Sequence, residues 1–388
     1  PVVKSLRMVQ SGHTMRDVGA LQEWATKQGI TLGDGISILD NGYGDCGIHT
    51  NKALRPGDFL FHIPPSLLIS SKKTTLTGSD IRACQTGLGP DMEQYLPEFL
   101  VMIALIQEIS RGSDSLWLPW LQSLPSYFRT GLWMNDKERM ILYQLAPKFM
   151  QHQQYQWEAF MRASQALRLD CDPQTLLWAF TIVFTRSWRA PPGNEAVIAP
   201  IGDMVNHHSS RTNVDVSVDK NGCGMVLTRP IENCELFLDY GITQFPERFL
   251  VIYGFLDPNP SDVALDIDYG NDSHASALGF NDFTQMTINF ESMELSKKSW
   301  NGILYKVLLD QGRQEVHWLR GFLTKNPDDQ SPLSDLHTQW GDETRGFLAA
   351  YAREKVALYE SCLFEAQHDM IDNLIPSYCH LHRDHWMR

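Results

Sequence analysis

With 388 residues, 43% of them hydrophobic and 20% charged, the chain has the make-up of a folded protein and not of a disordered one. Its 46 acidic residues outnumber 33 basic ones, and the net charge of −13 repels phosphate backbones, which argues against nucleic acid as a partner. Seven scattered cysteines with no C-x-x-C pair read as thiols in a reducing compartment, and the longest apolar stretch, 99–106, falls far short of the ~20 residues that cross a bilayer.

Residues 13–29 have the spacing of an amphipathic helix, with Val18, Leu21, Trp24 and Ala25 on one face and Gly29 as its stop. Five glycines between 33 and 47 predict tight bends between short strands. A turn at 53–58 precedes a strand at 59–63, which Pro64-Pro65 ends, and 67–70 predicts another short strand. From about 80 to 190 the apolar spacing is helical. The segments are 93–110 with Pro97 near its start, 141–169 with a break or kink at Pro147, and 176–188. A Trp- and Pro-rich run, 116–125, reads as a loop among them, and the 11 tryptophans suit either core packing or the lining of a channel. Strands return at 197–240: 214–218 alternates, Asn221-Gly222 predicts a hairpin turn, and 225–228 answers it. Pro258-Asn259-Pro260 marks a boundary, after which come a few strand-like pieces and then helices. Strands and helices do not alternate regularly, so the class is mixed α+β and not a doubly wound parallel sheet.

Two segments carry the chemistry. Asp203-Met204-Val205-Asn206-His207 sets an amide and an imidazole side by side in a turn, and Glu235-Leu236-Phe237-Leu238-Asp239-Tyr240-Gly241 is strand-like, ending on a tyrosine before a glycine. Around them, in order, stand Gly44-Asp45-Cys46-Gly47-Ile48, Leu116-Trp117-Leu118-Pro119-Trp120-Leu121 with Leu124-Pro125, Thr185-Arg186-Ser187-Trp188, and Tyr253-Gly254-Phe255. In this order the motifs resemble those of SET-domain protein methyltransferases of the plant Rubisco lysine methyltransferase type, a group that includes an actin histidine methyltransferase. The resemblance implies a SET-domain β-fold over 1–260 with a long helical insertion at about 80–190, and a helical C-terminal substrate-binding domain at 261–388. It further implies methyl transfer from S-adenosylmethionine to a lysine of a non-histone protein docked on that C-terminal domain, by a monomer without membrane attachment.

As the resemblance has it, Gly44, Cys46 and Gly47 let the cofactor lie against bare main chain, although Asp45 stands where a glycine is common. Arg186 pairs with the cofactor carboxylate through its planar fork. Asn206 and His207 hold the adenine and amino end, partly through backbone groups, and Asp203 contacts the ammonium or shapes the turn. Tyr240 is the expected catalytic residue. A lysine amine, with a reference pKa of ~10.4, must be neutral to attack, and an apolar channel favours that form. A phenol at the inner end of the channel then aligns the lone pair. Trp188, Leu238, Tyr253 and Phe255 would wall the channel. After the tyrosine the family usually has a Ser-Asn pair, whereas this chain reads Thr243-Gln244-Phe245-Pro246-Glu247-Arg248. That departure keeps a histidine acceptor open, since imidazole needs less help to be neutral. A non-catalytic protein-binding module of the same fold is the third reading. Cys379, His380, His382 and His385 lack structural-zinc spacing and read as a polar tail, so no metal is expected. The reducing compartment is cytoplasm or nucleus, or chloroplast where a transit peptide has been removed.

Overall fold

The computed structural model describes residues 16–40, 46–190, 195–241 and 248–255, together with the backbone of 262–268, 283–289 and 294–295. By internal contacts the chain divides into two units. The first takes Pro1–Met134, Ala146–Gly241 and Arg248–Asn259; the second takes Asn135–Leu145, Ile242–Glu247 and Pro260–Arg388.

Helix α1 (Val18–Lys27) begins later than the periodicity predicts, because Asp17 caps it by accepting the Ala20 N–H at 2.8 Å. Leu21, Trp24 and Ala25 form its buried face, and Gly29, at φ +88°, turns the chain after it. Short strands follow: β1 (Thr31–Leu32), β2 (Ile36–Asp40), β3 (Cys46–Thr50), β4 (Ala53–Leu54), β5 (Phe59–Ile63) and β6 (Ile69–Ser70).

The insertion consists of α2 (Gly78–Leu88), α3 (Leu96–Arg111), α4 (Leu118–Ser123), α5 (Asp136–Leu145), α6 (Pro147–Ala166) and α7 (Pro173–Arg186), with α5 allotted to the second unit. Proline sets where two of these helices begin. The run 116–125 is not all loop: Pro119 occupies the first turn of α4, where its missing N–H costs nothing. Pro147 likewise starts α6, so of the expected break or kink the structure has the break. Helix α3 is buried on nearly every side, with Phe99, Val101, Met102 and Leu105 fully enclosed, which makes it the axis of the core. Helices α2 and α6 touch closely because Gly87 carries no side chain; a Cβ there would lie 2.5 Å from the Ala163 Cα.

Five tryptophans settle what much of the indole surplus does. Trp24 donates to the Leu116 carbonyl at 2.9 Å, Trp117 to Leu67 at 2.9 Å and Trp178 to Pro125 at 2.8 Å. Trp133 donates to the Thr181 hydroxyl at 2.7 Å and Trp120 to Asp203 at 3.1 Å. Each packs its ring and satisfies its N–H, pinning the 116–133 stretch to α1, to the turns at Leu67 and Asp203 and to α7.

Strands resume with β7 (Trp188–Ala190), β8 (Glu195–Ile198), β9 (Asn206–His207), β10 (Val214–Asp219), β11 (Gly222–Leu227), β12 (Ile231–Glu232) and β13 (Phe237–Leu238). They complete small sheets: an antiparallel four-stranded one in the order β1-β5-β11-β10, a three-stranded one in the order β6-β8-β7, and the pairs β2-β3, β4-β12 and β9-β13. In the β10–β11 hairpin Asp219 faces Gly222, so the turn residues are Lys220 and Asn221 and not the predicted Asn221-Gly222. Gly222 sits in the ladder at φ +122°, where a Cβ would press against the Ile63 carbonyl oxygen at 2.1 Å.

In the second unit the described parts are α5 and an antiparallel meander of β14 (Asp262–Asp268), β15 (Phe283–Asn289) and β16 (Glu294–Leu295). The C-terminal unit thus opens with strands, and the helices expected after them lie outside the described residues. Among the described residues no helix is long and apolar enough to cross a membrane, and no disulfide joins the five cysteines.

Candidate active site

Strands β9 and β13 run parallel, Asn206 opposite Phe237 and His207 opposite Leu238. Parallel neighbours need a long crossover, supplied here by the β10–β11 hairpin and β12. Further bonds lock the pair: His208 N–H to the Leu238 carbonyl at 3.1 Å, Asn213 N–H to the Phe237 carbonyl at 3.0 Å, and Phe237 N–H to Asn213 Oδ1 at 2.8 Å. The two segments singled out in the sequence therefore lie side by side.

Tyr240 follows this pair directly. Its N–H donates to His207 Nδ1 at 3.1 Å, which in the neutral ring puts the imidazole proton on Nε2. Its hydroxyl donates to the Val205 carbonyl at 2.9 Å. A phenol has one proton to donate and two lone pairs, so toward any further group this oxygen acts as an acceptor. The ring lies 5.2 Å from Tyr253 and 5.1 Å from His207, and Phe255 is 5.9 Å from both of those rings. Fully buried Phe249 stacks on His207 at 4.6 Å. Sequence reasoning missed Phe249, because it belongs to an apolar run with no motif to mark it.

A π-helix, Phe249–Tyr253, builds this aromatic wall. The Gly254 N–H reaches back to the Phe249 carbonyl at 2.9 Å, and the wide turn sets the Phe249 and Tyr253 rings 5.4 Å apart. Gln153 of α6 donates to the Val251 carbonyl at 3.1 Å. Burial pushes the Tyr253 phenol above its ordinary range, opposed by the Arg248 charge, so the wall stays uncharged. Gly254 closes the turn at φ +78°, and a Cβ there would lie 2.8 Å from the carbonyl carbon and oxygen of Arg129. Neither backbone atom can give way. Gly254→Ala is therefore expected to cost ~1–2 kcal/mol in urea unfolding, and an unchanged midpoint would refute the strain assigned to this turn.

Cys46 and Gly47 lie on β3, beside the Asn206 amide, which donates to the Cys46 carbonyl at 3.3 Å and to Glu235 Oε1 at 2.7 Å. Gly44 and Asp45 lie outside the described residues, as do segment 243–247 and Cys379, His380, His382 and His385. Glu235 was not among the expected site residues; its nearness to Asn206 depends on a strand pairing that the sequence alone does not announce.

Arg186, at the end of α7, donates through Nη1 to the Asp203 carbonyl at 2.9 Å and to Asp203 Oδ2 at 3.0 Å. The other carboxylate oxygen takes the Trp120 indole. Burial raises the Asp203 pKa, and the Arg186 charge and these bonds, with one from the Ile201 backbone, pull it back. The Asp203 side chain is fully enclosed. Of the two roles expected for it, shaping the turn fits this geometry, and reaching a ligand's ammonium does not. The turn needs shaping: Ile201, a β-branched residue, sits at φ +76°, ψ −47°.

The described contacts of two expected channel residues are with other neighbours. Leu238, opposite His207, is one of the buried side chains of the hydrophobic core. Trp188 begins β7 opposite Val197 and, among the described ring pairs, does not join the Tyr240 cluster.

No protein-family model matches the chain. It is similar to the chloroplastic fructose-bisphosphate aldolase-lysine N-methyltransferase of Arabidopsis thaliana, 22% identical over 263 residues, 61% of this chain and 52% of that protein. It is also similar to the chloroplastic Rubisco large subunit N-methyltransferase of Pisum sativum, 22% identical over 262 residues, 61% of this chain and 51% of that one. With the actin-histidine N-methyltransferase of Gallus gallus it shares 23% over 287 residues, 69% of this chain and 47% of that protein. The chain spans about half the length of these relatives. The solved SET domain of LSMT bound to lysine and AdoHcy aligns with a TM-score of 0.56 at 14% identity, covering 92% of this chain and 95% of that one. Rubisco LSMT bound to sinefungin and monomethyllysine gives 0.59 at 16%, covering 92% and 96%. The chain has the SET-domain fold, and the resemblance read from its motifs is borne out.

Proposed function

We propose that the chain is an S-adenosylmethionine-dependent protein methyltransferase that methylates a lysine side chain of a non-histone protein. The observation that carries this reading is the Tyr240 hydroxyl. Its proton goes to Val205, and its oxygen is an acceptor beside the Tyr253 ring, one strand away from Asn206. The residues present fit the cofactor. Arg186 offers a guanidinium for a carboxylate, Cys46, Gly47, Asn206 and His207 offer backbone and amide groups, and the aromatic rings suit a sulfonium.

When bound, S-adenosylmethionine supplies a methyl group on a positively charged sulfur. The chain's own residues do the rest. Loss of water against Tyr253, Phe255 and Phe249 favours the neutral form of an acceptor amine, which can shed a proton, whereas a sulfonium cannot and keeps its attraction to the ring faces. Tyr240 then orients the amine as a hydrogen-bond acceptor, and such alignment accounts for several orders of magnitude in rate. Asp203 acts only through Arg186 and the turn. Residues 261–388 dock the protein substrate, the enzyme works as a monomer, and the cysteine pattern favours a reducing compartment.

Incubation with methyl-labelled S-adenosylmethionine and a cell lysate, followed by mass spectrometry of the modified residue, tests this. Label is expected on lysine. Label on histidine would move the chain to the second reading, which its likeness to the actin-histidine enzymes favours. No label, together with no calorimetric binding of the cofactor, would leave only a protein-binding module.

A further inference from the structure

We propose that Glu235 is a positioning residue for the cofactor, acting through Asn206; this rests on the function proposed above. An asparagine amide has two N–H donors on one side and one acceptor oxygen on the other. Here Nδ2 faces the Glu235 carboxylate at 2.7 Å and the Cys46 carbonyl at 3.3 Å. Both neighbours are pure acceptors, so a flipped amide would set oxygen against two oxygens, and the chemistry leaves one orientation. In that orientation Oδ1 points away from both as an acceptor. The group it selects is an N–H donor, such as the ammonium or exocyclic amine of S-adenosylmethionine.

Glu235 is itself held firmly. Its backbone bridges to His49, the Leu236 N–H donates to the Ile48 carbonyl at 2.7 Å, and the Thr50 N–H donates to the Cys234 carbonyl at 3.0 Å. On one side His49 Nε2 stands 4.0 Å from Oε2. Beneath lies Gly47, where a Cβ would come within 2.5 Å of Glu235 Oε1 and 3.2 Å of Asn206 Nδ2. The glycine of β3 thus makes room for the Glu235–Asn206 pair as well as for a ligand. The carboxylate also places negative charge beside a site whose proposed ligand carries two positive centres, its ammonium and its sulfonium.

Two measurements on the full chain test this. In calorimetry with S-adenosylhomocysteine, which cannot react, Glu235→Ala is expected to weaken binding about tenfold, the loss typical of a charged hydrogen bond. Glu235→Gln, which keeps an acceptor oxygen, should recover most of it. With substrate, the Ala variant should raise KM for the cofactor while kcat at saturation changes little. Thermal unfolding without ligand reads the bond itself. Asn206→Asp sets two carboxylates face to face and lowers Tm, and adding Glu235→Gln supplies a donor to the new acid and restores it. Wild-type binding with an unaffected Glu235→Ala would overturn the inference and leave the proposed function standing. Failure of the wild type to bind would overturn both, and additive Tm losses in the double variant would refute the pairing.

Discussion

Asp203→Ala is expected to cost the fold about 3 kcal/mol, because it strands the donors that converge on one buried carboxylate and leaves a cavity. Those donors are the Arg186 guanidinium, the Trp120 indole and the Ile201 backbone. Asp203→Asn should lose less, about 1 kcal/mol, since an amide oxygen can still take one donor and burial already disfavours the charge. The pH dependence has a definite sign. Burial raises the folded pKa above the unfolded one, so this group's contribution to stability is complete below the ordinary carboxylate pKa of about 4 and is lost as pH rises through the folded value. The deficit of Asp203→Ala against wild type should therefore shrink from acid toward neutral pH in denaturant titrations. A variant as stable as wild type at every pH would remove Asp203 as the brace of this turn.

Tyr240→Phe is expected to lower kcat on the order of a hundredfold, the scale of a misaligned reacting group, with calorimetric affinity for S-adenosylhomocysteine unchanged. The phenyl ring preserves the contacts to Tyr253 and His207, and the His207 bond comes from the backbone N–H, so the binding half keeps its shape. Only the acceptor oxygen and the bond to Val205 disappear, and losing that bond costs stability by about 1 kcal/mol. Normal turnover in this variant would mean that another group aligns the acceptor.

The parts of the site that the sequence announces are those whose chemistry is local. Asn206, His207 and Tyr240 each stand in a short recognisable run, and the structure brings all three together. The strand at 214–218 is legible because its residues alternate up to a turn, and the one at 59–63 because a turn precedes it and Pro64-Pro65 ends it. What was not legible depends on neighbours distant in the chain. Asp203 looks like a ligand-binding acid until Trp120, from the insertion, is seen to occupy it. Leu238 reads as a channel residue in the sequence, and only the packing shows that it is also a side chain of the core. Phe249 is one apolar residue among several until a π-turn aims it at His207. Glu235 stands in a recognisable run, but its task is hidden there because its partner amide lies on another strand. Gly44 and segment 243–247, on which substrate choice was expected to turn, lie outside the described residues.

The parallel pairing of β9 with β13 also bears on how the molecule is made. Two strands of two residues each contribute little on their own, and closing the loop between them costs entropy that only the surrounding core offsets. During synthesis Asn206 and His207 emerge well before Phe237 and Leu238, so the first segment must wait unpaired until the second arrives. Once they meet, the Asn206-His207 segment and the Tyr240 backbone are fixed against each other in a single event, so the two groups proposed to hold the methyl donor and to align its recipient take their places together.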